Sequence, residues 1–475
     1  MSAPAAGLSR RALSWAIAAG VAIGVTYALS PLTVWFTLAM ILLARWASNG
    51  LTGSERRWVL TALIAAIVLR VIAVAVLFVS ADHAQVPFNV FFGDEEYYIR
   101  RSIWMRNLWL GLPLHTADLI YVFDETGLTS HLNVLALLQI LVGPAPYGVH
   151  LVGIACYLTG SVLLYRTVRP ALGRMPSLIG LTLVLYLPSL FAWSVSALKE
   201  PLFFLMTASS IVMVTEAVRR PGWIARLVVA GAVVALGAGL ATLRQGGAVL
   251  SALGVTGGLV IAPLVRRPRL VLVAVMILPV AVGAALSRPD MQVTVYGAVQ
   301  SAARQHWGHV ATSGYVYRVL DPRFYPDRLD SSARVEIADM RFGEALRFIW
   351  RSLERYVTVP LPWDVQSRSA LLYLPEQIIW YLLVALAPAG VVLAMRRNAL
   401  VTSLLLAHAV VAALTVALTS GNVGTLVRHR GLALPYFLWL SAVAFCELVS
   451  RIRLAPATPW PVPPPYSRED GTVCR

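Results

Sequence analysis

Apolar runs of 17 or more residues recur along the chain, separated by short polar stretches rich in arginine. A run of that length crosses about 30 Å of hydrocarbon as an α-helix. Twelve such spans are predicted, at 12–29, 31–47, 58–80, 147–165, 176–193, 201–218, 223–243, 247–264, 270–287, 377–395, 399–419 and 432–450. The run 132–142 is too short to cross and ends in "GPAP", so it reads as an interfacial or re-entrant segment. The expected fold is an all-α polytopic transmembrane bundle spanning 1–453. Two long segments leave the bundle, about 81–146 and 288–376, and they carry interfacial helices. Residues 454–475 are Pro-rich and polar and read as a disordered tail.

In the second long segment, residues 333–357 place Val335, Ile337, Met340, Leu346, Phe348 and Leu353 at helical spacing, with arginines and acids opposite. This predicts an amphipathic helix on the membrane surface or a lid packed on the bundle. The sequence "PLPWD" (360–364) ends it, because proline cannot continue a helix.

Composition agrees with this pattern: 58% of residues are hydrophobic and 13% charged, against about 25% charged in soluble domains. The first apolar run has no small-residue cleavage site and leads directly into the second, so it is not read as a cleaved signal. Cys156, Cys446 and Cys474 have no metal or redox spacing and read as structural thiols.

The net charge of +16 acquires meaning once the loops are sorted alternately. One set, with the N-terminus and the tail, holds 20 arginines against 5 acids. The other holds 17 arginines and one lysine against 18 acids. The excess lies on one side, as the positive-inside rule requires of cytoplasmic loops. Both termini are therefore expected in the cytoplasm. The excess is spread over short connections, which removes nucleic acid as a partner. Arg70 falls near mid-span, where a charge is costly and is paired or functional.

The neutral, external set contains the unusual chemistry. In "FFGDEEYYIRRS" (91–102), Asp94, Glu95 and Glu96 are adjacent and precede Tyr97 and Tyr98. A lone acid there reads as a solvated helix flank. Three in a row repel and need nearby cations or a raised pKa, and a carboxylate near an acceptor hydroxyl can act as general base. If a helix begins near Asp94, its dipole supports these charges. Asp94, Tyr97 and Tyr98 then share a face that Glu95 leaves.

Lys199, in "ALKEPLFF", is the only lysine in the chain. It reads either as a compact cation for a phosphate or as a flank paired with Glu200. "NVGTLVRHR" puts Arg428, His429 and Arg430 on the side that positive-inside anchoring does not explain. Two arginines there suit a phosphate or an external anionic lipid head. Arg244, in "LRQGG", is a weaker candidate of the same type.

A "G-D-E-x-Y" motif in the first external loop resembles the C-type glycosyltransferase fold, and more closely the branch of protein O-mannosyltransferases and the lipid A aminoarabinose transferase. "ALKEPLFF" and "NVGTLVRHR" are similar to stretches in bacterial members that build surface polysaccharides. The resemblance covers most of the chain as topology and three short motifs as sequence. It implies sugar transfer from a polyprenyl-phosphate carrier to a hydroxylated acceptor, with inversion, on the extracytoplasmic face of a bacterial cytoplasmic membrane. Asp94 would be the base or orient the acceptor, and Glu95 would assist it or bind a divalent ion, as in metal-using relatives. Glu96, Tyr97 and Tyr98 would support the acceptor side, and Lys199, Arg428, Arg430 and Arg244 would hold the carrier phosphate. No cofactor is otherwise implied. Glu96 makes the acidic run triple and leaves the choice of base open, and the separate soluble domain of many protein-modifying members is missing. A polysaccharide polymerase or ligase is the first alternative, and a transporter or flippase the second.

Overall fold

The computed structural model describes residues 9–86, 88–122, 130–219, 222–312, 315–325, 337–364, 371 and 374–454. Among these the elements are helical, and the β-type pairing is confined to one isolated bridge, Val316 with Asn422. Among the described residues nine helices are long and apolar enough to cross a membrane, or ten if the bent pair Arg174–Tyr186 and Pro188–Val195 counts as one span. The chain is thus an all-α, multi-pass membrane protein. The other two expected spans are also helices, Arg10–Leu29 and Pro268–Leu286, but their apolar stretches, Arg11–Val25 and Arg269–Ala281, are shorter. The short run near 132–142 is the helix Ser130–Val142, packed on Gly93–Trp109 through the Gln139 amide, which donates to Ser102 Oγ at 2.7 Å.

The bundle core is built from close helix pairs. Gly247–Val265 lies along Ala399–Thr419, and small residues permit the approach. A Cβ at Gly254 would sit 2.6 Å from the His408 ring, and one at Gly258 2.7 Å from Leu404 Cα. Side chains facing away from the bundle stay apolar: Trp15, Trp223, Val234 and Val280 are all exposed. In a soluble protein such surfaces would aggregate, whereas here they meet hydrocarbon.

The bent span needs a specific explanation, because backbone groups inside a bilayer must be satisfied internally. Pro188 lacks an N–H, and the two helices meet at 59°. The freed carbonyls find side chains. Tyr157 Oη donates to Val184 O at 2.8 Å, and Arg70 Nη2 donates to Leu185 O at 2.8 Å. The Ser189 N–H, which would have bonded Leu185, donates instead to Glu376 at 2.8 Å. Arg70 also donates to Ser194 Oγ at 2.7 Å and to Ala66 O at 3.1 Å, and it lies over the rings of Tyr157 and Phe191. The mid-span arginine therefore caps a broken helix. Arg70→Ala orphans the buried Leu185 carbonyl at ~1–3 kcal/mol, while the Ala66 carbonyl keeps its helical N–H partner. It is expected to lower unfolding stability in detergent by about 2 kcal/mol, read from denaturant titration. A variant as stable as wild type would show that this cap contributes nothing.

Loop contacts fall within the two sets sorted by charge. At one end, Glu55 binds Arg169 at 2.5 Å and lies 3.6 Å from Arg174. Arg166 donates to Trp46 O at 2.6 Å, and Arg397 donates to Leu172 O at 2.7 Å. The opposite end gathers residues 94–95, 196–200, 244 and 420–428.

The amphipathic helix is shorter than expected. It runs Phe342–Thr358, after a break at Asp339 and Met340, and residues 333–336 lie outside the described residues. Glu344 sets its start by reaching back to the Arg341 N–H at 2.7 Å, a reciprocal cap. Its buried side, including Phe348 and Tyr356, packs on the bundle, while Phe342, Leu346 and Trp350 are exposed. Of the expected tail, 454–475, Leu454 ends the helix Leu434–Leu454, and residues 455–475, with Cys474, lie outside the described residues; Cys156 and Cys446 are free thiols.

Candidate functional site

The helix Gly93–Trp109 begins at the acidic triplet, and each acid meets a different fate. Glu95, at the third helical position, turns back and accepts the Phe92 N–H at 3.0 Å. Its other oxygen accepts the Ala197 N–H at 3.3 Å, and the carboxylate is fully buried, 3.8 Å from His150 Nδ1. Glu96 pairs with Arg100 one turn on. Asp94 is 63% exposed and reaches across the chain.

Asp94 Oδ2 accepts from Arg428 Nη1 at 2.7 Å. Arg428 Nη2 lies 3.7 Å from Glu200 Oε1, and Arg244 Nη1 lies 3.6 Å from the same oxygen. Glu200 is 2% exposed, and its Oε2 has no hydrogen-bond partner among the described residues. One buried carboxylate thus stands between two guanidinium groups from separate junctions, with the acidic helix start on the outer side. The guanidinium of Arg428 also lies over the Phe92 ring, 5.4 Å from its centre. Burial works against the charge of Arg428, but Glu200 and the Asp94 hydrogen bond outweigh it, and its pKa is raised. Burial lowers that of Arg244.

Lys199, Tyr98 and two histidines complete the cluster. Lys199 acts electrostatically on His131 and His429, and Tyr98 on Arg244 and Arg428. His429 is pushed well below its ordinary pKa by burial and then by Arg244 and Arg428. His131 is lowered by burial; its Nε2 contacts Ala197 O at 3.2 Å, and its Nδ1 has no partner among the described residues. Burial thus disfavours the charged form of both imidazoles.

The second long segment holds the helix that carries Arg428 in place. The carbonyl of Ser420 meets His306 Nδ1 at 2.6 Å and Tyr317 Oη at 2.8 Å, and that of Thr419 meets His309 Nδ1 at 2.8 Å. Tyr317 N–H donates to Gly421 O at 3.0 Å, and Val423 N–H to Tyr315 O at 2.8 Å. Asn422 then caps the helix Val423–Arg430, which carries Arg428 in its last turn.

Of the residues singled out in the sequence, Asp94, Tyr98, Lys199, Arg244 and Arg428 come together. Arg430 does not. It is 4% exposed and donates to Tyr356 O, Val359 O and Gln377 Oε1, so its fork ties the Val423–Arg430 helix to the amphipathic helix and to the span Leu374–Arg397. It turns away because helical neighbours two apart point to opposite sides. Glu96 and Tyr97 also point elsewhere, to Arg100 and Arg101. Glu95 is buried and holds the helix start to the Ala197 junction, and it interacts electrostatically with Arg428 and Glu200. Its two oxygens already accept N–H groups, and among the described residues no three His, Cys, Asp or Glu side chains gather at metal-binding spacing.

Glu200 and His131 are the additions, and His429 joins them from the Arg428–Arg430 stretch. Glu200 read as a flank of Lys199; its signal was its place at the first turn of a helix, at the end of the molecule where unexplained arginines collect. Comparison with known proteins gives no match: no family model, no curated protein and no solved structure matches this chain.

Burial raises Glu95 from an ordinary 4.5 to about 7, against the two N–H groups that favour its charge. The folded state thus holds a proton that the unfolded chain releases, so stability is present below about pH 4.5 and declines as pH rises through about 7. Melting curves of wild type and Glu95→Gln at pH 5 and pH 8 check this. Wild type is expected to lose more stability across that window than the variant. Parallel pH profiles would remove Glu95 as the titrating group.

Proposed function

We propose that this protein is a membrane glycosyltransferase that moves a sugar from a polyprenyl-phosphate carrier to a hydroxylated acceptor on the extracytoplasmic side of a bacterial cytoplasmic membrane. The observation that carries the reading is the convergence of Lys199, Arg244 and Arg428 beside Asp94 at one end of the bundle. Lys199, Arg244 and Arg428 stand near Glu200 and Asp94, and their positive charge would attract an anion. A single exposed carboxylate stands at the outer edge, where an acceptor would arrive.

In the proposed step, the acceptor oxygen attacks the anomeric carbon while Asp94 takes the hydroxyl proton. The bond from that carbon to the phosphate oxygen breaks, and its electron pair leaves with the phosphate. Arg428, Arg244 and Lys199 stabilise the charge that grows on the departing oxygen, and one displacement inverts the anomeric centre. Glu200 holds the two arginines at a fixed separation. Arg428 also gives the resting state its character: the base is bonded to the cation that the phosphate requires, so donor arrival and release of Asp94 are coupled.

The polymerase alternative leaned on arginines in the second external segment. There Arg347 and Arg351 engage Asp321, and Arg323 engages Glu344, so they are less suited to hold a glycan. A transporter would place polar residues along a path through the membrane; the mid-span Arg70 instead gives its donors to the bent span.

Direct binding tests the donor side. Purified protein is expected to bind polyprenyl monophosphate at least ~10-fold more tightly than the corresponding alcohol, as one charge-assisted contact requires. Lys199→Ala is expected to lose most of that preference. Equal affinity for phosphate and alcohol would remove the phosphate from the reading.

A further inference from the structure

A second site lies at the opposite end of the molecule and does not depend on the reaction. The helices Pro31–Ser48 and Gly53–Val79 are joined by a turn of four residues, so they run antiparallel. Their facing stripes bound a groove of about 530 Å³. Its walls are apolar, with Phe36, Met40 and Leu60 on the inside and the half-exposed Ile41 and Ile64 at the rim. Arg45 lies in the last turn of the first helix and Arg56 in the first turn of the second. Both line the groove, and the antiparallel arrangement brings them to one depth at its end.

We propose that this groove binds a phospholipid with an anionic headgroup, one acyl chain against the apolar walls and the phosphate between Arg45 and Arg56. Three observations select that occupant. The stripe from Thr33 to Ser48 rises ~24 Å, longer than the ~15 Å that a chain covers in one leaflet. The polar end carries two cations, and a zwitterionic head would gain less from them. The arginines sit at the end where Arg166, Arg169 and Arg174 gather, and the nearest acid there, Glu55, is already engaged by Arg169 and Arg174.

The test uses the full chain, purified in a neutral detergent and titrated with phosphatidylglycerol or with phosphatidylcholine of the same chains. Lipid retention is read by native mass spectrometry and stability by thermal shift. Phosphatidylglycerol is expected to bind about tenfold more tightly and to raise the melting temperature. The double variant Arg45→Gln/Arg56→Gln loses that preference but melts like wild type without lipid. The variant Ile64→Trp keeps both arginines, fills the groove and loses retention of either lipid. The pair Arg266→Gln/Arg267→Gln, in another loop of the same charge set, retains the preference. Equal binding of the two lipids by wild type, an unchanged preference in the double variant, or its loss in the control pair would overturn the proposal; the last would mean attraction to the whole positive end.

Discussion

Asp94→Asn is expected to lower sugar transfer by about 10²–10⁴-fold, the range for removing a positioned general base, while insertion and abundance stay at wild-type levels. The side chain is 63% exposed and makes one ion pair, so little of the fold rests on it. The assay is release of label from a radiolabelled polyprenyl-phosphate sugar in membranes carrying either form. Full activity in the variant would exclude Asp94 as the base. The same substitution carries a second expectation of opposite sign. Asp94 occupies Arg428 Nη1 at 2.7 Å, so it competes with any anion for that donor. Asparagine is a weaker competitor, and the variant is expected to bind inorganic phosphate more tightly than wild type. Weaker phosphate binding would mean that Asp94 helps to hold the anion.

Arg428→Gln is expected to cost about 10²–10³-fold in kcat, the loss seen when one donor to a developing oxyanion is removed. Two features set Arg428 apart from Arg244: it touches both carboxylates, Asp94 and Glu200, and a dedicated set of contacts from the second long segment orients its helix. Arg428→Lys is expected to restore little, because a point charge cannot bridge the two carboxylates as a planar fork does. Arg244 and Arg428 share Glu200, so their losses are expected to be non-additive. A strictly additive double-mutant cycle, measured as kcat with saturating donor, would mean that Glu200 does not couple them.

The membrane architecture was legible in the sequence to the extent that it depends on local properties. Apolar run length and arginine distribution are read one segment at a time, and the loops they sorted into two sets also touch within those sets. The span 176–193 was legible as apolar but not as broken, because the partners that make the break tolerable, Arg70, Tyr157 and Glu376, come from three other helices. The amphipathic helix was legible in its face and its end. Its start was misplaced because a cap at Arg341 and Glu344 decided it against continuing periodicity.

In the acidic run, the sequence by itself determined that three adjacent carboxylates stand in a loop of the set without excess charge, and that a lone lysine and unexplained arginines belong to the same set; the structure starts a helix at them. Tertiary structure alone decided which of them meet. Glu95 turned inward because its N–H partners lie on its own helix cap and on a junction about a hundred residues away. Arg428 faced Asp94 while Arg430 faced the lid, although both stand on one short helix. Glu200, a flank in the sequence, became the shared counterion of two arginines. Charge and hydropathy act over a segment and are written into it. A buried ion pair depends on which distant backbones arrive beside each other, and that is fixed only when the bundle packs.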